Sequence, residues 1–199
     1  DGTLSTRKGK VVFLQDVLDQ AIEKTRAIIE EKSPGFENKD EVAKTVGVGA
    51  VVFDTLSSAR IKDIVFSFDR VLNFDGETGP YVQYTHARCC SVLRKAAEQN
   101  APAAAPDYAA LSDDDSQALL RLLSRFPEAI LDAADKYEPS MVTRAVTEVA
   151  KAYNKFYYEK RILDDDAGAR EARLRLTRAA KDVLKSGMYL IGMEAPERM

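Results

Sequence analysis

Residues 74–95 read FDGETGPYVQYTHARCCSVLRK, and they decide the fold class because a helix must begin inside them. A Gly79-Pro80 turn stands directly before that helix, and its first turns carry Tyr81, Tyr84, the chain's only histidine, His86, and Arg88. Helix starts usually carry small capping residues and carboxylates, so this density of rings and cations is unusual. Such a surface suits stacking on bases and clamping a phosphate or a base edge. The same residues also fit a packed helix with Tyr81 and Tyr84 on one inward face and His86 satisfied by a backbone carbonyl. The residues alone leave both open.

Upstream, Arg60 to Phe74 fits neither a helical nor a strand period, and a short extended piece over 63–67 followed by a helical turn at 69–72 is expected. Two helices precede it. One is expected from a cap at Asp16 to about Lys32, with Val17, Leu18, Ala21, Ile22, Thr25, Ile28 and Ile29 at helical spacing, and Ser33-Pro34-Gly35 stops it. The other runs from about Asp40 to Ser57 with Val42, Val46, Ala50 and Phe53 in one stripe. Gly47 and Gly49 lie inside it, each costing about 1 kcal/mol relative to alanine, which suggests close approach of another backbone or a weak helix. Val11 to Leu14 reads as a short buried strand or an extended lead-in. The opening DGTLSTRKGK sets two glycines around Ser5, Thr6, Arg7 and Lys8. It suits a polyphosphate or is a solvated cationic loop, and it lacks the order of a P-loop.

Downstream, the central helix is expected to end near Gln99, and the uncharged Pro/Ala stretch 100–106 reads as a surface connection. Ser112-Asp-Asp-Asp starts a leucine-rich helix that Pro127 should kink or break. Ser140 opens the longest uninterrupted helical pattern, to about Leu163, with Val142, Val146, Val149, Ala150 and Tyr153 inward. Phe156, Tyr157 and Tyr158 cannot all face inward on a helix. At least one ring is therefore a stacking platform beside Lys155 or Arg161, or a hydrophobic edge against the tail. Three aspartates at 164–166 cap a last helix, about Gly168 to Lys185, with Arg170, Arg173, Arg175 and Arg178 as a solvated face. Gly187 fits its C-terminal cap, and the apolar tail after it should pack down.

Composition narrows the function classes. The chain has 199 residues, 45% apolar and 31% charged, enough for a real core, and its formal charge is −3. Bulk charge therefore gives no support to nucleic-acid binding, and any RNA contact must come from local patches. No apolar run approaches the roughly 20 residues of a membrane span. The two cysteines, Cys89 and Cys90, are neighbours, which argues against a disulfide framework and a zinc site. No catalytic constellation is visible: one histidine gives no His-based metal site, and no serine or cysteine has an evident base partner. Reduced thiols, a cytoplasmic setting and a mainly α fold are the expectation.

Four stretches resemble one family in the right order: LSTRKGKVVFLQDVLDQAI at 4–22, VGVGAVVFDTLSSARIKDIVFSFDRVLNF at 46–74, GETGPYVQYTHARCCSVLRKA at 76–96, and YNKFYYEKRIL at 153–163 with LIGMEAPERM at 190–199. The family is the arginyl-tRNA synthetases. The resemblance implies a C-terminal part of such an enzyme, divided as 1–75, the end of a nucleotide-binding catalytic domain with signature loop and stem helices, and 76–199, a DALR-type all-helical anticodon-binding bundle. It implies that Ser5, Thr6, Arg7 and Lys8 meet the ATP pyrophosphate, although Thr3, Leu4, Thr6 and Arg7 depart from the general Lys-Met-Ser-Lys-Ser pattern. It implies that Tyr81, Tyr84, Arg88, Tyr157 and Met199 grip the anticodon's middle cytosine. ATP with Mg2+, arginine and tRNA(Arg) would be the full enzyme's cofactor and partners, with a monomer and no membrane. The His-Ile-Gly-His signature lies upstream in the family and is not in these residues, so the chain alone is expected to hold no cofactor and to leave tRNA unarginylated. The rival readings are a helical RNA-binding or protein-docking adaptor without ligase activity.

Overall fold

The computed structural model describes residues 11–99 and 104–199. Among the described residues every regular element is helical: α1 (Leu14–Lys32), α2 (Lys39–Ser57), α3 (Phe68–Val71), α4 (Gly79–Glu98), a 3-10 turn (Tyr108–Leu111), α5 (Asp114–Asp135), α6 (Ser140–Glu159) and α7 (Ala167–Leu190). Helix α4 is the hub, packing against α2, α6 and α7, while α5 pairs with α6 and α1 lies on α2. One core runs from Phe53 on α2 through Val82 and Cys89 on α4 to Leu119, Val146, Tyr153, Phe156, Leu184 and Met188.

Side-chain caps mark the starts of α4, α5 and α7. The Thr78 side chain accepts from the Tyr81 backbone N–H at 3.2 Å, Asp113 from Ser116 at 3.1 Å and Asp166 from Ala169 at 2.7 Å. Each satisfies a donor that has no partner within its own helix. The α6 stripe predicted from spacing, Val142, Val146, Val149, Ala150 and Tyr153, is buried throughout. In α1 only Ala21 and Thr25 are buried, so its apolar stripe is half-covered. Close approach explains Gly47: a Cβ there would lie 2.8 Å from the Ile22 backbone nitrogen of α1.

Several local expectations are corrected. Of the two readings of Val11 to Leu14, the buried strand fails: the side chains are exposed, Leu14 already belongs to α1, and Phe13 just before it is extended. Asp16 does not cap that helix, which starts after Phe13 without a side-chain cap. Residues 63–67 form neither helix nor strand, and the helical turn expected after them is present, one residue earlier, at Phe68–Val71. Pro127 neither breaks nor splits α5, which continues to Asp135. The proline lies on the exposed side, where water can satisfy the carbonyl that loses its N–H partner. Helix α6 stops at Glu159, short of Leu163, and α7 runs past Lys185 to Leu190.

Gly187 is consequently not a cap but an interior contact of α7. A Cβ at this position would stand 2.2 Å from Val146 Cγ1 and 3.1 Å from Phe126 Cζ, so α7 approaches α6 and α5 only because the side chain is absent. The residue with φ +75° past the helix end is Gly192. The tail then packs down as expected, with Ile191 and Met193 buried. Gly187→Ala should gain about 1 kcal/mol of helix propensity and lose about 1–3 kcal/mol to overpacking. The expected net result is a lower urea midpoint with an unchanged slope.

Candidate nucleic-acid interface

Tyr84 and Arg88 sit four apart on α4 and therefore share one face. Both are accessible: Tyr84 is 42% exposed and Arg88 is half-buried. The Arg88 guanidinium carbon lies 4.9 Å from the Tyr84 ring centroid and 4.9 Å from the Tyr157 ring centroid. Two rings thus flank one cation, each contact contributing about 0.5–1 kcal/mol at such accessible sites. Arg88 Nη1 donates to Asn154 Oδ1, and Asn154 Nδ2 donates to Thr85 Oγ1 at 2.8 Å. The Thr85 hydroxyl donates to the Tyr81 carbonyl at 2.9 Å, so a short chain of hydrogen bonds fixes the guanidinium from behind.

The aromatic run at the end of α6 divides as helical geometry requires. Phe156 is fully buried, Tyr157 is 40% exposed and faces Arg88, and Tyr158 is 86% exposed. A cavity of about 810 Å³ opens beside them. Tyr84, Arg88, Tyr157 and Met199 all line it, together with Phe36, Arg94, Lys95, Lys160, Arg161 and Arg198. Lys160 and Arg161 are paired with Asp113 and Asp165. Arg94, Lys95 and Arg198 make no ion pair among the described residues.

Of the residues singled out from sequence, the structure brings Tyr84, Arg88, Tyr157 and Met199 together. Tyr81 does not line this cavity; it is half-buried against the main core. Ser5, Thr6, Arg7 and Lys8 lie outside the described residues. Sequence reasoning misses Asn154, whose signal is a short amide in mid-helix three residues before Tyr157, where side-chain hydrogen bonding offsets poor propensity. It also misses Phe36 from the α1–α2 loop, which carries no local pattern.

His86 is fully buried, and its Nδ1 lies 2.9 Å from the Pro196 carbonyl. That carbonyl only accepts, so Nδ1 carries the hydrogen. Burial lowers the pKa of His86 below its ordinary 6.5; the Pro196 bond opposes this, Lys181 and Lys185 add to it, and Glu197 opposes it. Burial likewise pushes the Cys89 thiol up to about 12, which leaves no reactive thiolate there. Among the described residues no group of three or more His, Cys, Asp and Glu side chains is placed to hold a metal ion, and no helix is long and apolar enough to cross a membrane.

Residues 82–199 match the model of the DALR anticodon binding domain. The chain belongs to the DALR anticodon-binding domain family. Residues 1–68 match the model of the class I tRNA synthetase (R) catalytic domain. The chain is 55% identical over its whole length to an arginine–tRNA ligase of Halothermothrix orenii and 54% identical to one of Clostridioides difficile, and it spans 35% of the length of each. The Thermus thermophilus arginyl-tRNA synthetase structure superposes with a TM-score of 0.87 over 95% of the chain and 32% of its own length, at 36% identity. The DALR family match contains α5, α6, α7 and all of α4 but its first turn, so it includes the cavity's main walls.

The buried neutral histidine of this DALR domain gives a pH dependence with a defined sign. The unfolded chain takes up a proton at His86 near pH 6.5, while the native chain resists until lower pH. This contribution to stability is complete above about pH 6.5 and is lost as pH falls from there to the lowered native value. In denaturation across this range, His86→Asn should show a shallower decline than the wild-type chain, because it keeps an N–H donor and removes the titrating group.

Proposed function

We propose that the chain is the anticodon-reading part of an arginine–tRNA ligase and that its aromatic-cationic cavity receives an unstacked anticodon base. The observation that carries this reading is Arg88, held between Tyr84 and Tyr157 and tethered by Asn154 at the edge of a cationic cavity. Single-stranded RNA bases are recognised by stacking on rings and guanidinium planes and by hydrogen bonds to their exposed edges. Arg88 spends one donor on Asn154, and its remaining N–H groups are available to the acceptor atoms of a cytosine edge. Tyr84, Tyr157 and Met199 supply the flat and polarisable surfaces, and Arg94, Lys95 and Arg198 supply phosphate contacts along the rim. Tyr81 acts behind this surface, through its carbonyl on Thr85.

The division into a stem unit, 1–75, and an anticodon-binding unit, 76–199, is supported by the two family matches, which end at 68 and begin at 82. ATP with Mg2+ and arginine would be used by the whole ligase, with Ser5, Thr6, Arg7 and Lys8 carrying the contact to ATP phosphates. A monomeric cytoplasmic enzyme acting on tRNA(Arg) is the form this reading takes. The 199-residue chain alone is expected to give no arginylation of tRNA.

Titration of the chain with anticodon stem-loops tests the binding part. Stem-loops with the central cytosine should bind better than those with uridine, and Arg88→Ala should weaken the cytosine form by about ten- to a hundredfold. Replacing Arg94, Lys95 and Arg198 with glutamine should flatten the salt dependence by roughly 0.7 in log–log slope for each phosphate no longer neutralised. Equal binding of both stem-loops, or an Arg88→Ala variant that binds as the wild type does, overturns the assignment.

A further inference from the structure

The C-terminal tail is held by two buried polar side chains of α4 that the cavity itself does not use. Gln83 Nε2 donates to the Glu194 carbonyl at 2.9 Å and to the Thr45 carbonyl of α2 at 3.3 Å. His86 Nδ1 donates to the Pro196 carbonyl at 2.9 Å. Thr45 Oγ1 adds a bond to the Glu194 carboxylate at 3.1 Å. Gln83 and His86 are three apart and share one face of α4, whereas Tyr84 and Arg88 share a face pointing nearly the opposite way. The tail therefore crosses α4 from the anchoring face to the cavity face, where Arg198 and Met199 join the lining. Met199 is three residues beyond Pro196, so once that carbonyl is fixed Met199 can reach no farther than about 10 Å from it.

We propose that His86 and Gln83 are positioning residues for anticodon-base recognition: by fixing the carbonyls of Glu194 and Pro196 they hold Met199 at the Tyr84–Arg88–Tyr157 cavity. The inference rests on the reading of that cavity as the anticodon site. Two features separate it from ordinary tail packing. A buried imidazole and a buried amide are both spent on main-chain carbonyls of the tail, where apolar residues would fill the space without fixing its register. Glu194 and Pro196 are also next-but-one neighbours, so the anchors set the direction of the tail as well as its position.

The test uses the full chain, the two stem-loops with central cytosine or uridine, and methionine-methyl 13C NMR. In His86→Ala the preference for cytosine should fall about three- to tenfold, and the Met199 methyl signal should move to its random-coil position and sharpen. His86→Asn places an amide N–H close to where Nδ1 stood and should restore both. Met199→Ala should cause a similar loss of preference, and combining it with His86→Ala should add nothing, because residues acting through one another are non-additive. Additive losses, or an unmoved Met199 signal in a folded His86→Ala chain, overturn the proposal. Should His86→Ala fail to fold, Gln83→Met carries the same two readouts with the same expected and overturning results. If the wild-type chain binds neither stem-loop, the reading of the cavity fails, and the Met199 signal still decides whether the anchors hold the tail. If the wild type prefers cytosine and Met199→Ala keeps that preference, the positioning role alone fails.

Discussion

Helix α4 must bury polar side chains on a hub that has almost no solvent-facing side, and the arrangement of its neighbours follows from satisfying them. Gln83, Thr85 and His86 are all buried, and Arg88 is half-buried between two rings. A buried polar group without a partner costs about 1–3 kcal/mol, so each needs a fixed acceptor or donor. The tail meets Gln83 and His86, Asn154 of α6 meets Thr85 and Arg88, and the Thr45 carbonyl of α2 meets Gln83 as well. Three separate parts of the chain are thereby registered against one helix. One Gln83 acceptor, Oε1, has no partner among the described residues, so the match is close rather than complete.

Close backbone approach is the second constraint, and it makes the polar contacts short enough to form. A Cβ at Gly49 would fall 2.8 Å from Gln83 Nε2, and one at Gly79 would fall 2.9 Å from the Gly49 carbonyl. Glycine at both places lets α2 and the start of α4 meet backbone to backbone. Gly187 does the same for α7 against Val146 and Phe126. The helix-propensity loss of about 1 kcal/mol at each glycine is smaller than the burial it permits along the whole seam. This explains why α2 tolerates two of them without fraying.

Legibility in the sequence follows the range of the interactions. The apolar period of α6 and the aspartates ahead of α5 and α7 are local signals, and the structure follows them closely, with Asp113 and Asp166 as the caps. Gly187 looks like a cap because a glycine near the end of a helical pattern usually is one. Only the distant Val146 and Phe126 reveal that it sits inside α7. Pro127 looks like a break because local rules cannot tell that its side of α5 faces water. In the candidate site, Tyr84, Arg88 and Tyr157 are legible as residue types. Asn154 and Phe36 are not, since their roles depend on contacts across the fold. The bond from His86 to a backbone carbonyl is readable in kind, but its partner, 110 residues away at Pro196, is not.

The electrostatics explain how a chain with net charge −3 can present a cationic cavity. Many of its cations are neutralised within the fold: Lys155 pairs with Asp115, Lys160 with Asp113, Arg173 with Asp164 and Arg175 with Glu171. The acidic start of α5, which favours the macrodipole, thus also pairs with Lys155 of α6 and Lys160 just past it. Cations without an ion pair among the described residues occur on several elements, Arg121, Arg125, Arg144, Arg178 and Lys185 included, but Arg94, Lys95 and Arg198 stand with the tyrosine-flanked Arg88 on one cavity. Exposed pairs contribute little to stability, typically about 0–1 kcal/mol each. What distinguishes the cavity is therefore not unpaired charge alone but unpaired charge set beside accessible rings. Net charge is a poor guide to such a face, because a few cations beside accessible rings set the local chemistry whatever the total.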